Sequence, residues 1–239
     1  MQTFATAASS PDSSSISGSA GLRRAMVDCQ IRPFDVTDGQ VIEAFLEIPR
    51  ENFVGAANSA VAYSDGQLCV SSGSRRRFLL EPMVLARLLQ GARITGECRV
   101  LDVGGGNGYT AAILSGLARE VVALEADAGF TQAAATACAA LGCGNVTAIT
   151  GDLANGASGE GLFDVIIVNG AIEAGFEPLL AMLAPGGRLL AVRREAGASG
   201  RAARAVRFDV TAGKASSRSL FDAAGRTLEV FETRPAFAF

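Results

Sequence analysis

Five short apolar runs, Arg99 to Val103, Glu120 to Leu124, Val146 to Thr150, Phe163 to Val168 and Arg188 to Val192, constrain this chain more than any other feature. Helical or loop stretches separate them, among them Ala111 to Leu117, Phe130 to Leu141 and Phe176 to Leu183. Runs of this length without polar alternation read as strands buried on both faces, and their alternation with helices predicts an α/β fold. The expected architecture is a Rossmann-like, doubly wound, mostly parallel sheet. Ligands in such sheets bind outside the carboxyl ends of the strands. Beyond Ala196 the alternation stops, and Ala203 to Val210 and Leu228 to Phe239 read as an antiparallel pair closing one edge.

The first run ends in a glycine loop, Val100-Leu-Asp-Val-Gly-Gly-Gly-Asn-Gly-Tyr-Thr110. Glycine permits tight turns and a close approach of backbone to a nucleotide. A nicotinamide-binding loop would follow G-x-G-x-x-G, but the last position here is Tyr109. The residues instead fit Asp-x-Gly-x-Gly-x-Gly through Asp102, Gly104, Gly106 and Gly108, which resembles the first motif of the class I S-adenosylmethionine-dependent methyltransferases. Three further positions follow in the order this resemblance requires. Glu125 ends the second run, where a carboxylate can accept two ribose hydroxyls, with Asp127 as the alternative acid. The resemblance places Asp152 against the adenine amino group, with the backbone amide of Leu153 facing the ring. Asn169 stands at the lip where methyl donor and acceptor would meet. The turn Leu183-Ala-Pro-Gly-Gly-Arg188 is a further element common in that class, read here as a chain reversal.

Composition removes competing chemistries. The 239 residues include no histidine, and Lys214 is the one lysine among 21 basic residues. Imidazole-based hydrolysis is therefore excluded, and Schiff-base or P-loop chemistry lacks its lysine. Cysteines at 29, 69, 98, 138 and 143 form no C-x-x-C pair, so reduced thiols and no metal site are expected. The net charge of -3 argues against a general nucleic-acid binder. With no signal-like start and no run of about 18 apolar residues, a cytoplasmic chain without membrane contact is expected.

Residues 1–21 are rich in serine and read as a disordered leader. Residues 22–90 read as a helical extension on the substrate side of the main domain, 91–239. Its helices are expected over Leu22 to Ile31, ended by Pro33, over Thr37 to Ile48, with Thr37 and Gln40 as a capping box, and from Pro82, burying Met83, Leu85, Leu88 and Leu89.

Within this extension lie Met26-Val27, Gln30-Ile31-Arg32, Pro49-Arg-Glu-Asn-Phe-Val54 and Ala62-Tyr-Ser-Asp65. Together with Gly108 to Leu114, Asn145-Val146 and Gly151-Asp152, they resemble the protein-L-isoaspartate (D-aspartate) O-methyltransferase family over residues 24–192. The resemblance implies S-adenosylmethionine as cofactor and an isoaspartyl protein, peptide or small acidic molecule as acceptor. Gln30, Arg32, Arg77 and Asn169 are the candidate acceptor-side residues, though Arg32 could equally be a structural salt-bridge partner. One segment departs from the family. Where it carries glycine-glutamine-threonine-isoleucine-serine before a proline, this chain has Arg76-Arg-Phe-Leu-Leu80, so Phe78 and Leu80 replace two hydroxyls. The run Arg75 to Arg77 is then either a solvated loop or a clamp for an anion. Methylation of a different acidic or phenolic acceptor, or cofactor binding without catalysis, remain alternatives.

Overall fold

The computed structural model describes residues 18–157, 159–195, 203–211 and 213–233. Its centre is a seven-stranded sheet built from β3 (Arg99–Val103), β4 (Glu120–Glu125), β5 (Val146–Thr150), β6 (Phe163–Ile172), β7 (Leu183–Arg193), β8 (Ala203–Thr211) and β9 (Lys214–Ala223), in the order β5-β4-β3-β6-β7-β8-β9. The first five of these pair in parallel; β8 and β9 are antiparallel. Because β4 and β5 lie on one side of β3 and β6 on the other, a topological switch point opens at the carboxyl ends of β3 and β6.

Both faces are covered at the centre of the sheet, which is why β3, β4, β6 and β7 lack polar alternation; β5, read from the sequence as buried on both faces, is an edge strand and only half-buried. Val100, Val165, Ile167, Leu190 and Val192 enter one apolar cluster, while their neighbours Leu101, Ile166, Val168, Leu189 and Ala191 enter the other. The first cluster also takes α4 (Tyr109–Ser115) and residues of α5 (Ala128–Ala140) together with the N-terminal helices; Leu179 of α6 (Glu177–Ala181) belongs to the second. The stretch Leu183 to Arg188, read from the sequence as a chain reversal, instead belongs to β7: the strand carries a register shift against β6 between Phe163 and Val165, and Gly186 within it has φ +80°.

The N-terminal part differs from a helical extension in three ways. Helix α1 (Ser19–Met26) starts inside the stretch read as a leader, and a π turn and a short 3-10 turn carry it to Phe34; residues 1–17 lie outside the described residues. Asp38, not Thr37, caps α2 (Gly39–Glu47), accepting from the backbone N–H of Gln40 and Val41. A two-stranded antiparallel hairpin, β1 (Leu68–Ser72) and β2 (Arg75–Leu79), occupies the stretch before α3 (Pro82–Ala92). Of the α3 residues expected to be buried, Leu85, Leu88 and Leu89 are; Met83 is half-buried.

The C-terminal edge also differs from expectation. The partner of β8 is Lys214–Ala223, a polar and mostly exposed strand whose pattern carries little apolar signal. Leu228 to Glu232, expected to open a strand, instead contains a 3-10 turn at Glu229–Phe231; residues 234–239 lie outside the described residues. A bridge between Thr227 and Ala171 lays this segment beside the end of β6. Among the described residues no helix is long and apolar enough to cross a membrane.

Candidate active site

The carboxyl ends of β3, β4 and β6 bring the sequence-derived acids and glycines together. Asp102 and Glu125 are buried at 1% and 4% exposure. After β3 the loop turns through Gly104, Gly106 and Gly108, at φ +71°, +63° and +92°. A Cβ on Gly105 would lie 2.5 Å from Asp102 Oδ2, and one on Gly108 2.9 Å from the Ala134 Cα, so the loop is seated against both a side chain and a helix backbone.

Asp102 is held at one oxygen and free at the other. Asn169 donates through Nδ2 to Asp102 Oδ1 and to the Val103 carbonyl, while its own Oδ1 accepts from the Thr110 hydroxyl at 2.6 Å. The register between β6 and β7 shifts between Ile167 and Ala171, the stretch that contains Asn169. Asp102 Oδ2 is buried with no hydrogen-bond partner among the described residues. Burial pushes this carboxyl up to about 7; the Asn169 hydrogen bond opposes the rise and nearby Glu125 adds to it. From about pH 4 to 7 the folded chain therefore keeps a proton that the unfolded chain has released, and stability from this group falls as pH rises through about 7. A rise of that size corresponds to roughly 4 kcal/mol. Urea unfolding between pH 4.5 and 8 should show native stability declining relative to Asp102→Asn; parallel curves would show that the group is not protonated in the fold.

Glu125 accepts from four protein donors. Arg77 donates from Nε and Nη2 at 3.0 to 3.2 Å, the Gly106 N–H at 2.7 Å and the Ala126 N–H at 3.0 Å. Arg77 is thus no surface residue: it is 8% exposed on β2, whereas Arg75 and Arg76 are exposed. The alternative acid, Asp127, caps α5 through the N–H groups of Gly129 and Phe130 and accepts from Ser72 Oγ.

The remaining candidates are dispersed. Asp152 is exposed and caps its own turn, accepting from the Ala154 N–H and Asn155 Nδ2; Leu153 is buried in the second apolar cluster. Arg32 is exposed and pairs with Asp28 one turn back, the structural role left open by its sequence context. Gln30 donates to the Tyr63 carbonyl. Leu80 is a buried core residue whose carbonyl accepts from Arg50, and Phe78 lies under the Arg226 guanidinium at 5.0 Å.

Arg50, Asn107 and Thr110 lie inside segments quoted from the sequence, but their contacts at the site are not announced by spacing. Arg50 is fully buried and stacks 4.7 Å from the centre of the Tyr109 ring, joining the Pro-Arg-Glu segment to the first turn after the glycine loop. Asn107 of that loop donates to the Phe53 carbonyl at 2.9 Å. Thr110, next to the loop, was within reach of a motif reading. Leu228 was not, since no local pattern announces its contact with Gly104, where a Cβ would lie 3.0 Å from it.

An antiparallel strand pair at the edge of a parallel sheet, a glycine loop after β3 and an acid at the end of β4 define a class I S-adenosylmethionine-dependent methyltransferase. Residues 23–209 match the family Protein-L-isoaspartate(D-aspartate) O-methyltransferase (PCMT), and the chain belongs to that family. It is 37% identical over 183 residues to the protein-L-isoaspartate O-methyltransferase of Koribacter versatilis, covering 77% of this chain and 80% of that one. With protein-L-isoaspartate O-methyltransferase 2 of Shewanella sediminis the identity is 35%, over 70% and 68% of the two chains. A solved protein-L-isoaspartate O-methyltransferase superposes with a TM-score of 0.77 at 25% identity, covering 88% of this chain and 67% of that one. A Plasmodium falciparum structure, described as a putative member of the family in complex with S-adenosyl-L-homocysteine, shares the fold at 20% identity and a TM-score of 0.68, over 88% and 98% of the chains.

Proposed function

We propose that this protein transfers a methyl group from S-adenosylmethionine to a carboxylate, with the isoaspartyl side chain of damaged proteins or peptides as the first candidate acceptor. The observation that carries the reading is the buried pair Asp102 and Glu125 flanking a glycine loop inside a chain of this family. The donor set suits the cofactor. Asp102 Oδ2 is a buried acceptor with no hydrogen-bond partner among the described residues, Glu125 stands where a ribose diol would need a carboxylate, and the glycines allow close approach.

Bound S-adenosylmethionine would supply an electrophilic methyl on a sulfonium. The chain's own task is to orient and desolvate, because in-line displacement depends on holding the reacting atoms at near-attack distance. Asn169 acts as a positioning residue, fixing Asp102 and tying it to Thr110. Asp102, drawn toward its ionised form by a neighbouring cation, would hold the positive end of the cofactor. An acceptor carboxylate, which ordinarily titrates near pH ~4, arrives ionised at neutral pH, so no general base is needed and the absence of histidine is no obstacle. Arg76, exposed on β2 beside the Arg75–Glu229 ion pair, gives the neighbourhood positive charge for such an acceptor.

Phe78 and Leu80 favour a second reading, in which the acceptor is a smaller or more apolar acid, since neither side chain can donate to an isoaspartyl carboxylate. Purified protein with methyl-labelled cofactor and an isoaspartyl peptide should form base-labile methyl ester. Failure with that peptide, alongside turnover of cofactor with small carboxylic acids, would transfer the proposal to the second acceptor class; no turnover with any acceptor would end both.

A further inference from the structure

Glu125 is the acid the cofactor's ribose would need, yet the chain has already satisfied it. A carboxylate offers about four lone-pair sites. The N–H groups of Gly106 and Ala126 and the Nε and Nη2 of Arg77 fill them. The two backbone donors are fixed by the loop, but Arg77 belongs to a separate two-stranded hairpin. Its guanidinium presents two parallel N–H groups to the carboxylate, the same donor pattern as a vicinal diol.

The open faces of the glycines are filled in the same manner. A Cβ on Gly106 would meet Val70 Cγ2 at 3.1 Å and Arg77 Cβ at 3.2 Å, both from the hairpin. One on Gly104 would meet Leu228 Cδ1 at 3.0 Å, and one on Gly170 would meet Leu228 Cγ at 2.9 Å. Hairpin and C-terminal segment are also joined to each other. Arg75 pairs with Glu229, Arg226 stacks on Phe78, and the Arg226 N–H donates to Gln67 Oε1.

We infer that Arg77 is a built-in competitor of the cofactor ribose: it holds Glu125 until S-adenosylmethionine displaces it, and the β1–β2 hairpin leaves the glycine loop together with the 225–231 segment. The inference rests on the methyltransferase reading and adds to it a residue that sets cofactor affinity. Arg77 stands where the family carries glutamine, so the competitor is a feature of this chain's divergent segment. Its neighbours Phe78 and Leu80 then serve the latch: Phe78 receives Arg226, and Leu80 is anchored by Arg50 at the foot of the hairpin.

Calorimetric titration of S-adenosylhomocysteine into the native protein, Arg77→Gln and Arg77→Lys tests this directly. Arg77→Gln should bind at least ten-fold more tightly than native, with Arg77→Lys between them, because lysine restores the charge without the two-pronged contact. Hydrogen exchange on the native protein gives an independent reading that needs no variant. Saturating S-adenosylhomocysteine should slow exchange at 103–110 and accelerate it at 68–79. Equal or weaker binding by Arg77→Gln, or increased protection of 68–79 on binding, would overturn the competitor while leaving the cofactor reading intact. Binding by Arg77→Gln alone would support it strongly; binding by none of the three proteins would overturn both.

Discussion

Gly108→Ala is expected to lower the melting temperature by roughly 4–20 °C and to abolish measurable S-adenosylhomocysteine binding. Two costs coincide at this residue. Its φ of +92° is a conformation that a Cβ disfavours by about 1–2 kcal/mol. The added atom would also lie 2.8 Å from Ala134 Cβ and 2.9 Å from its Cα, contacts with helix α5 that no rotamer change can relieve. Overpacking of that kind adds about 1–3 kcal/mol, and each kcal/mol corresponds to about 2–4 °C in a chain of this size. The loop can escape only by moving away from α5, which shifts the Gly106 N–H from Glu125 and Gly105 from Asp102. Gly142→Ala is the internal comparison, because its φ is +73° but no atom lies within 4 Å of the added Cβ. It should lose only the backbone term and bind ligand as native does. Equal effects of the two substitutions, read by scanning calorimetry and ligand titration, would show that the contact with Ala134 does not govern the loop.

That comparison also indicates what the sequence could convey. The parallel strands were legible because burial on both faces removes polar residues from short runs, and the glycine loop because positive φ restricts residue choice so strongly. Asp102 and Glu125 sit at strand ends, where their positions follow once the strands are placed, whereas Asn169 lies inside β6, which runs on to Ile172 beyond the Val168 end read from the sequence. The hairpin was hidden: β2 reads Arg-Arg-Arg-Phe-Leu, and three consecutive charges suggest a solvated loop unless one of them has a buried partner 48 residues away. Strand β9 was hidden for the opposite reason, since an edge strand facing solvent keeps a polar sequence. Leu228 and Arg50 depend on tertiary contacts that no local spacing encodes. Arg32 had two readings in the sequence, acceptor-side residue or salt-bridge partner, and in the structure its exposed guanidinium pairs with Asp28 four residues earlier.

Removing Glu125 should separate the two roles this carboxylate combines. Glu125→Ala leaves the Arg77 guanidinium buried with the Arg76 carbonyl, reached from Nη1, as its one remaining hydrogen-bond partner among the described residues. Breaking a buried pair at one end costs about 3–5 kcal/mol, because the surviving charge keeps its desolvation penalty without compensation. Removing both ends is a different perturbation: Arg77→Leu with Glu125→Ala places an aliphatic group opposite Val70, its register partner in the hairpin, and near Phe130, whose ring lies 5.7 Å from the guanidinium. The double variant should recover most of the stability lost by Glu125→Ala, measured by urea unfolding, because apolar replacement of a buried pair is often neutral. Ligand affinity should not recover with it, since the ribose would still lack its acceptor. If the double variant regained binding as well as stability, Glu125 would be a counter-ion for Arg77 and nothing more. If it regained neither, the hairpin would owe its seat over the glycine loop to the ion pair itself, and Val70, Ser72 and the C-terminal segment would be insufficient to hold it there.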